Sequence, residues 1–420
     1  MQEEIVSIAQ KRSGFEHIIN ARGSTPADYV RYIEFEKNVD ALRRKRIKRL
    51  GVKSSGSGQR TVFFLYNRGV RKFQGDLDLW MQYIEFARKE KAFKKLNEIF
   101  TSVVRLHPAK PGIWIYAARY FMDSQGDITN ARSYMQRGLR FNKNSPMIWL
   151  EYAKLETIYI AKIAGRRKIL GLDVDRTQAA AEEDPDADMI ALPSVTAEDI
   201  NPNMGQDEGV DQVALENLAS APILTGAIPI AIFDSAMNQF KNDPALAEEF
   251  FDMFAEFDQL PFLGRILQHI VDHLQQTSPQ AASTITSSFR IRLIGVDPVS
   301  PEFPPALRAA LGILDAAMQE SPVSKARLAG VAIRNILPAL QAVEEADEAA
   351  LRKVLLSSLK KYSRALEEAS SGEKGEALAA LVDSLRNEGK DANARRLVEA
   401  SLKHYGSNAK LLEMQKSLGT

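Results

Sequence analysis

Cysteine is absent from all 420 residues, which excludes disulfides, thiolate metal sites and cysteine nucleophiles and leaves a reducing compartment open to the chain. Histidine is scarce, at five residues. Only His269 and His273 have the i, i+4 spacing that can hold zinc on one helical face, and the zincin pattern needs a glutamate where Ile270 follows His269. Long apolar runs are missing as well: the longest, Ala221 to Phe233, is too short for a membrane span and contains Pro222 and Pro229. Met1 to Gln10 is acidic and amphipathic, unlike a secretory signal. Gly56-Ser57-Gly58 begins like a phosphate loop but lacks the following glycine and the Lys-Ser/Thr, so it reads as a linker. The paired acids Glu182-Glu183-Asp184 sit in a stretch that fixes no geometry for acid–base work. No nucleophile, base and orienter come together, so the sequence assigns no catalytic, metal or cofactor residue and the chain reads as a non-enzyme without a small-molecule substrate.

Composition is that of an ordinary globular chain, 45% hydrophobic and 26% charged. Its only three tryptophans are spaced 34 and 35 residues apart, at Trp80, Trp114 and Trp149. The register extends beyond the rings. Fourteen residues before each tryptophan stands Tyr66, Phe100 or Met135, and ten before stands Val70, Val104 or Leu139. Pro111 and Pro146 precede the second and third by three. The template recurs around Tyr29, with Pro26, Ile19 and Phe15, and around Ala247, with Pro244, Met237 and Phe233. Periods of this length mean stacked helix pairs, because one pair cannot bury its apolar stripe alone.

Within each pair the first helix places Tyr29 and Tyr32, Trp80 and Tyr83, Trp114 and Ala117, or Trp149 and Tyr152 on one face at i and i+3. The prolines fall where a first turn begins, with Thr25, Ser145 and Asp243 as caps before three of them. Two gaps interrupt the register, both between first and second helices. The first prolongs a helix from Pro26 through a basic extension at 40–50 and then a flexible Gly51–Gln59 loop. The second prolongs a helix to Arg166, Arg167 and Lys168 and continues into a Pro-containing acidic stretch, 173–215, whose composition predicts disorder. The predicted architecture is an all-α solenoid: repeats over 1–172, the acidic insertion, and degenerate helical repeats over 216–420. Only 11 of the 33 aromatic residues lie beyond position 172, so the last part must pack with Leu, Ala and Val.

The formal charge of +1 conceals +17 over 1–172, −11 over 173–211 and −5 over 212–420. Such a field attracts nucleic acid or acidic protein. Arg43, Arg44, Lys45, Arg46, Lys48 and Arg49 are the leading candidate surface, joined by Arg166, Arg167 and Lys168. No aromatic ring interleaves the first cluster, so it suits phosphate contact or an acidic partner rather than base reading.

Tyr29-x-x-Tyr32-x-x-x-Glu36 and Trp149-x-x-Tyr152-x-x-x-Glu156 resemble the first helix of half-a-tetratricopeptide (HAT) repeats, and Ala131 to Leu139 resembles the second. Ala117, Phe121 and Ala87 depart from that consensus. Glu4 to His17, Leu42 to Leu50, Leu106-His107-Pro108, Gly138 to Phe141 and Ile223 to Phe233 resemble the U3 small nucleolar RNA-associated protein 6 family. That resemblance implies a nucleolar, non-catalytic scaffold in the UTP-B module of the small-subunit processome, acting in 18S ribosomal RNA maturation. It further implies WD40-propeller partners, the U3 particle and precursor RNA, met directly or indirectly. HAT scaffolds of messenger-RNA splicing or 3′-end cleavage share the repeats and are the alternative.

A ring that recurs at every helix interface belongs to the core. Trp114→Ala is therefore expected to cost about 3–5 kcal/mol through the cavity it leaves. A urea titration measures this, and a loss near zero would place the ring in solvent.

Overall fold

The computed structural model describes residues 2–51, 56–169, 226–257, 260, 262–320, 325–346, 348–369, 375–405 and 408–418, and every regular element among them is helical. The acidic stretch at 173–215 lies outside the described residues, so the expectation of disorder there is not met with any observation. The chain divides into two compact units, Met1–Ile148 and Trp149–Thr420.

The first unit holds α1 (Gln2–Asn20), α2 (Pro26–Leu50), α3 (Ser57–Lys72), α4 (Leu77–Lys89), α5 (Phe93–Leu106), α6 (Pro111–Tyr120) and α7 (Ile128–Phe141). Each packs on the next, α2 with α3, α4 with α5 and α6 with α7 as pairs, and α1, α3 and α5 against the helices that follow them. α8 (Pro146–Ile169) comes next in the chain. α2, α6 and α8 all begin at the proline that the template marks, where the missing N–H would lack a partner anyway. Thr25 is the expected N-cap and forms a capping box with Asp28. Its N–H and hydroxyl both donate to the Asp28 carboxylate, at 2.7 and 2.8 Å, and hold that carboxyl below its usual range. Asp76 and Asp127 supply conventional caps, accepting from the backbone N–H of Leu79 and Asn130.

The repeat positions are the core. Ile19, Tyr29, Tyr32, Tyr66, Val70, Trp80, Tyr83, Phe100, Val104, Trp114 and Met135 are all buried, and Tyr66 stacks on Tyr83 with centroids 5.1 Å apart. Trp149 is the exception. It keeps part of its surface exposed, at the first position of the second unit, so it is not the fully enclosed ring the register predicts, although Tyr152 beside it is buried.

Each enclosed indole solves its polar problem in one way. Trp80 Nε1 donates to the Gln74 carbonyl at 3.0 Å and Trp114 Nε1 to the Pro108 carbonyl at 2.9 Å, six residues upstream in both cases. The same carbonyls take a second donor from one repeat later. His107 Nε2 reaches Gln74 O at 2.8 Å, and Asn142 Nδ2 reaches Pro108 O at 2.8 Å. His107 and Asn142 follow the last residues of α5 and α7, so each loop carbonyl holds both helices of the pair that follows it, the first through its indole and the second through the residue at its far end.

Small residues let the rings approach. A Cβ on Gly138 would lie 2.9 Å from Trp114 Cβ and 2.8 Å from Ile148 Cδ1, and one on Gly69 would lie 3.0 Å from the Tyr29 ring. Where the consensus fails, packing explains the substitute. Phe121 replaces the expected glutamate, is buried, and stacks on Tyr134 with centroids 5.1 Å apart, within a π-helical turn over Phe121–Gln125 that Gly126 ends in the left-handed region. An apolar ring there needs no counter-ion, whereas Glu36 does.

The second unit continues with α9 (Ala227–Gln239), α10 (Pro244–Ala255), α11 (Leu263–Thr277), α12 (Ala282–Arg290), α13 (Phe303–Glu320), α14 (Lys325–Glu345), α15 (Ala349–Ala369), α16 (Glu376–Asn387), α17 (Asp391–Tyr405) and α18 (Ala409–Leu418). In α10 the tryptophan place is Ala247 and the rings move one and two turns along, to the buried Phe250 and Phe254. Phe250 meets Phe233 edge-on at 5.5 Å. Beyond α12 the core is built from Leu, Ala, Ile and Val with few rings, as the aromatic count requires.

Gly138→Ala sets a gain in helix propensity of about 1 kcal/mol against overpacking of about 1–3 kcal/mol. Because the struck atoms are Trp114 Cβ and Cγ rather than a flexible tip, net destabilisation of about 1–2 kcal/mol is expected. Gly165→Ala in α8, with no neighbour within 4 Å, is expected to stabilise by about 0.5–1 kcal/mol. Thermal denaturation of the two variants should move in opposite directions.

Candidate partner-binding surface

The basic extension is the distal half of α2. Ala, Leu, Arg and Lys are strong helix formers, so nothing between Asp40 and Leu50 stops the helix. Gly51 does, with φ of 65° and its N–H donating to the Ile47 carbonyl, while Lys48 and Arg49 complement the negative end of the dipole. At 25 residues α2 is roughly 37 Å long at about 1.5 Å per residue. The expected Gly51–Gln59 loop is shorter than the sequence suggested. α3 already begins at Ser57, so Gly56-Ser57-Gly58 is a helix start and not a linker. A Cβ on Gly58 would collide with the Asp40 carboxylate, which accounts for glycine there.

The six cations do not act alike. Arg44 donates to Asp40 at 2.7 Å and to Glu90 at 2.9 Å. Arg46 donates to Glu4 of α1 at 2.7 Å, and Arg43 binds the Ser57 hydroxyl. Lys45, Lys48 and Arg49 are exposed and pair with no acid among the described residues. Only the Asp40–Arg44 pair, at i and i+4, has a local sequence signal. Glu4 and Glu90 reach the cluster through tertiary packing that no local pattern announces. Arg166 is exposed on α8, in the other unit, and the side chains of Arg167 and Lys168 lie outside the described residues.

Two further residues escaped the sequence reading. Glu36 is buried at 1% exposure, and Arg12 of α1 grips it with two bonds of 2.6 and 2.7 Å, which raises the affinity of the guanidinium for its proton. Lys37 donates to the Tyr66 hydroxyl at 2.7 Å and lies 5.1 Å from the centre of that ring. Burial pushes its pKa down. It lines a cleft of about 380 Å³ together with Asp40, Arg44, Phe86, Lys89 and Glu90. Charges of both signs alternate there, so the cleft carries no strong field of its own. The histidine pair is used in packing: His269 Nε2 meets Asp234 at 2.7 Å, and His273 lies edge-on to Phe233.

This end of the first unit thus presents a salt-bridged base and three outward cations. A family model falls on this part of the chain. Residues 1–66 match the family model described as U3 small nucleolar RNA-associated protein 6. The Schizosaccharomyces pombe protein of that name is 33% identical over 211 residues, 47% of this chain and 43% of that protein. The human homolog is 28% identical over 165 residues, covering 38% and 28%, and the Dictyostelium discoideum homolog is 23% identical over 279 residues, covering 64% and 45%. The chain thus spans less than half the length of the curated relatives it matches.

The matched segment contains the Arg12–Glu36 pair, and removing one partner strands a buried carboxylate. Arg12→Met is expected to cost about 2–3 kcal/mol, below the range of about 3–5 kcal/mol for a fully enclosed pair because the Arg12 side chain is 44% exposed. Adding Glu36→Met should restore most of the loss. Urea titration around this double-mutant cycle measures the coupling, and simple additivity would mean that the two groups do not interact.

Proposed function

We propose that this chain, a relative of the U3 small nucleolar RNA-associated protein 6 family, is a non-catalytic scaffold of the small-subunit processome. It works in the nucleolus within the UTP-B module, holding WD40-propeller subunits and lying near the U3 particle and precursor ribosomal RNA. The observation that carries this reading is the family match over residues 1–66, which falls on α1, the prolonged α2 and the start of α3. That segment builds the salt-bridged basic surface rather than a generic repeat. Stacked helix pairs supply long faces for protein contact, and the mechanism is presentation: the core fixes α2, and α2 holds its outward cations in a set geometry. Three outward cations at i, i+3 and i+4 are too few to hold RNA tightly by themselves at physiological salt, so association with RNA is carried by the assembled particle.

Tagged full-length chain purified from nuclear extract is expected to enrich U3 RNA and WD40 subunits over spliceosomal RNAs, and its depletion to lower 18S ribosomal RNA. Enrichment of spliceosomal or polyadenylation factors without U3 would overturn the assignment.

A further inference from the structure

The distal half of α2 carries a second pattern beside its charges. Val39, Leu42, Arg43, Arg46, Ile47 and Leu50 recur at i, i+3, i+4, i+7, i+8 and i+11 and so share one stripe of the helix. With Ile8 of α1 they line a groove of about 300 Å³. The groove lies open to solvent. Leu42 is 41% exposed and Leu50 is 73% exposed, and Ile5 on α1, one turn from Ile8, is 62% exposed. Apolar side chains held out along a rigid helix are a costly arrangement unless something covers them.

We propose that this groove docks an acidic amphipathic helix of a partner protein. Its apolar floor matches leucine-sized side chains at i, i+3, i+4 and i+7 of an incoming helix, the usual helix-in-groove mode. Its chemistry also fixes the sign of the partner. Arg43 and Arg46 stand in the stripe, Arg46 shared with Glu4 of α1, and Arg49 and Lys45 adjoin it on one flank with Lys48 further round the helix, so carboxylates on that flank of the apolar seam meet cations. Nucleic acid fits less well, since phosphate contacts would leave Leu42 and Leu50 uncovered and no aromatic ring lines the groove for stacking. A second copy of the chain would bring one basic rim against another. The inference rests on the groove alone and holds or fails whatever co-purifies with the chain.

The probe is a fluorescein-labelled, helix-stapled peptide of about 14 residues, roughly 21 Å long at about 1.5 Å per residue. It carries leucines at the seam and glutamates beside them, and a scrambled peptide of equal composition is the control. Fluorescence anisotropy with the full chain should show binding of the patterned peptide only. Leu42→Glu with Leu50→Glu should weaken it at least about tenfold, and Val6→Glu, exposed on α1 outside the groove, should not. Charge reversal at Lys45, Lys48 and Arg49 should weaken binding and flatten its salt dependence. Should the leucine variant melt early, the charge-reversal variant decides. Equal binding of the scrambled peptide, indifference to these variants, or a uridine oligonucleotide that binds better and ignores Leu42→Glu would overturn the proposal.

Discussion

An indole ring brings into a helix stack a large apolar area and a single N–H that needs an acceptor once water is gone. The first unit meets that requirement with the backbone carbonyl six residues upstream, at Gln74 for Trp80 and at Pro108 for Trp114. Everything else in the repeat accommodates this choice. Proline begins α6 so that the ring enters at a fixed height, Gly138 clears space beside Trp114, and His107 and Asn142 bring the far end of the second helix onto the same carbonyls. Burial supplies most of the free energy, and the polar latch sets the register in which burial occurs.

Electrostatics follows a different logic. A net charge of +17 over the first 172 residues suggests an unbroken cationic field, yet tertiary contacts neutralise part of the densest cluster. Glu4, Asp40 and Glu90 converge on Arg44 and Arg46, so these arginines cross-brace α1, α2 and the end of α4. What faces outward is a narrower set on one flank, beside an apolar stripe. The surface is thus amphipathic rather than merely basic.

Much of the fold was legible because its signals are local or strictly periodic. Pro26, Pro111, Pro146 and Pro244 start helices, and α2 and α8 run long as their uninterrupted patterns require. Positions fourteen and ten before each ring are buried or nearly so, with Leu139 and Phe15 partly covered. The misses are of another kind. Glu36 looked like a consensus letter, and its partner Arg12 lies 24 residues away on another helix. Ser57 and Gly58 read as loop because small residues favour flexibility, but packing against Asp40 selects Gly58 for closeness and the Ser57 hydroxyl holds Arg43. Trp149 shares the spacing of the other rings without sharing their full enclosure, since periodicity reports the side of a helix and not what covers it.

The doubly used loop carbonyls also explain where the chain accepts extra length. In the first unit the passage from the second helix of a pair to the next first helix presents one carbonyl that the following pair holds twice, by its indole and by His107 or Asn142, so added residues there would unpick two contacts at once. Among the described residues the opposite turn, from first helix to second, has no carbonyl shared in this way, although Glu90 at the end of α4 holds Arg44 and Gln59. The addition after α2 falls at a turn of this kind. An engineered cargo grafted onto the chain belongs for the same reason at the α6–α7 turn rather than at the α4–α5 turn, where Glu90 is tied to α2.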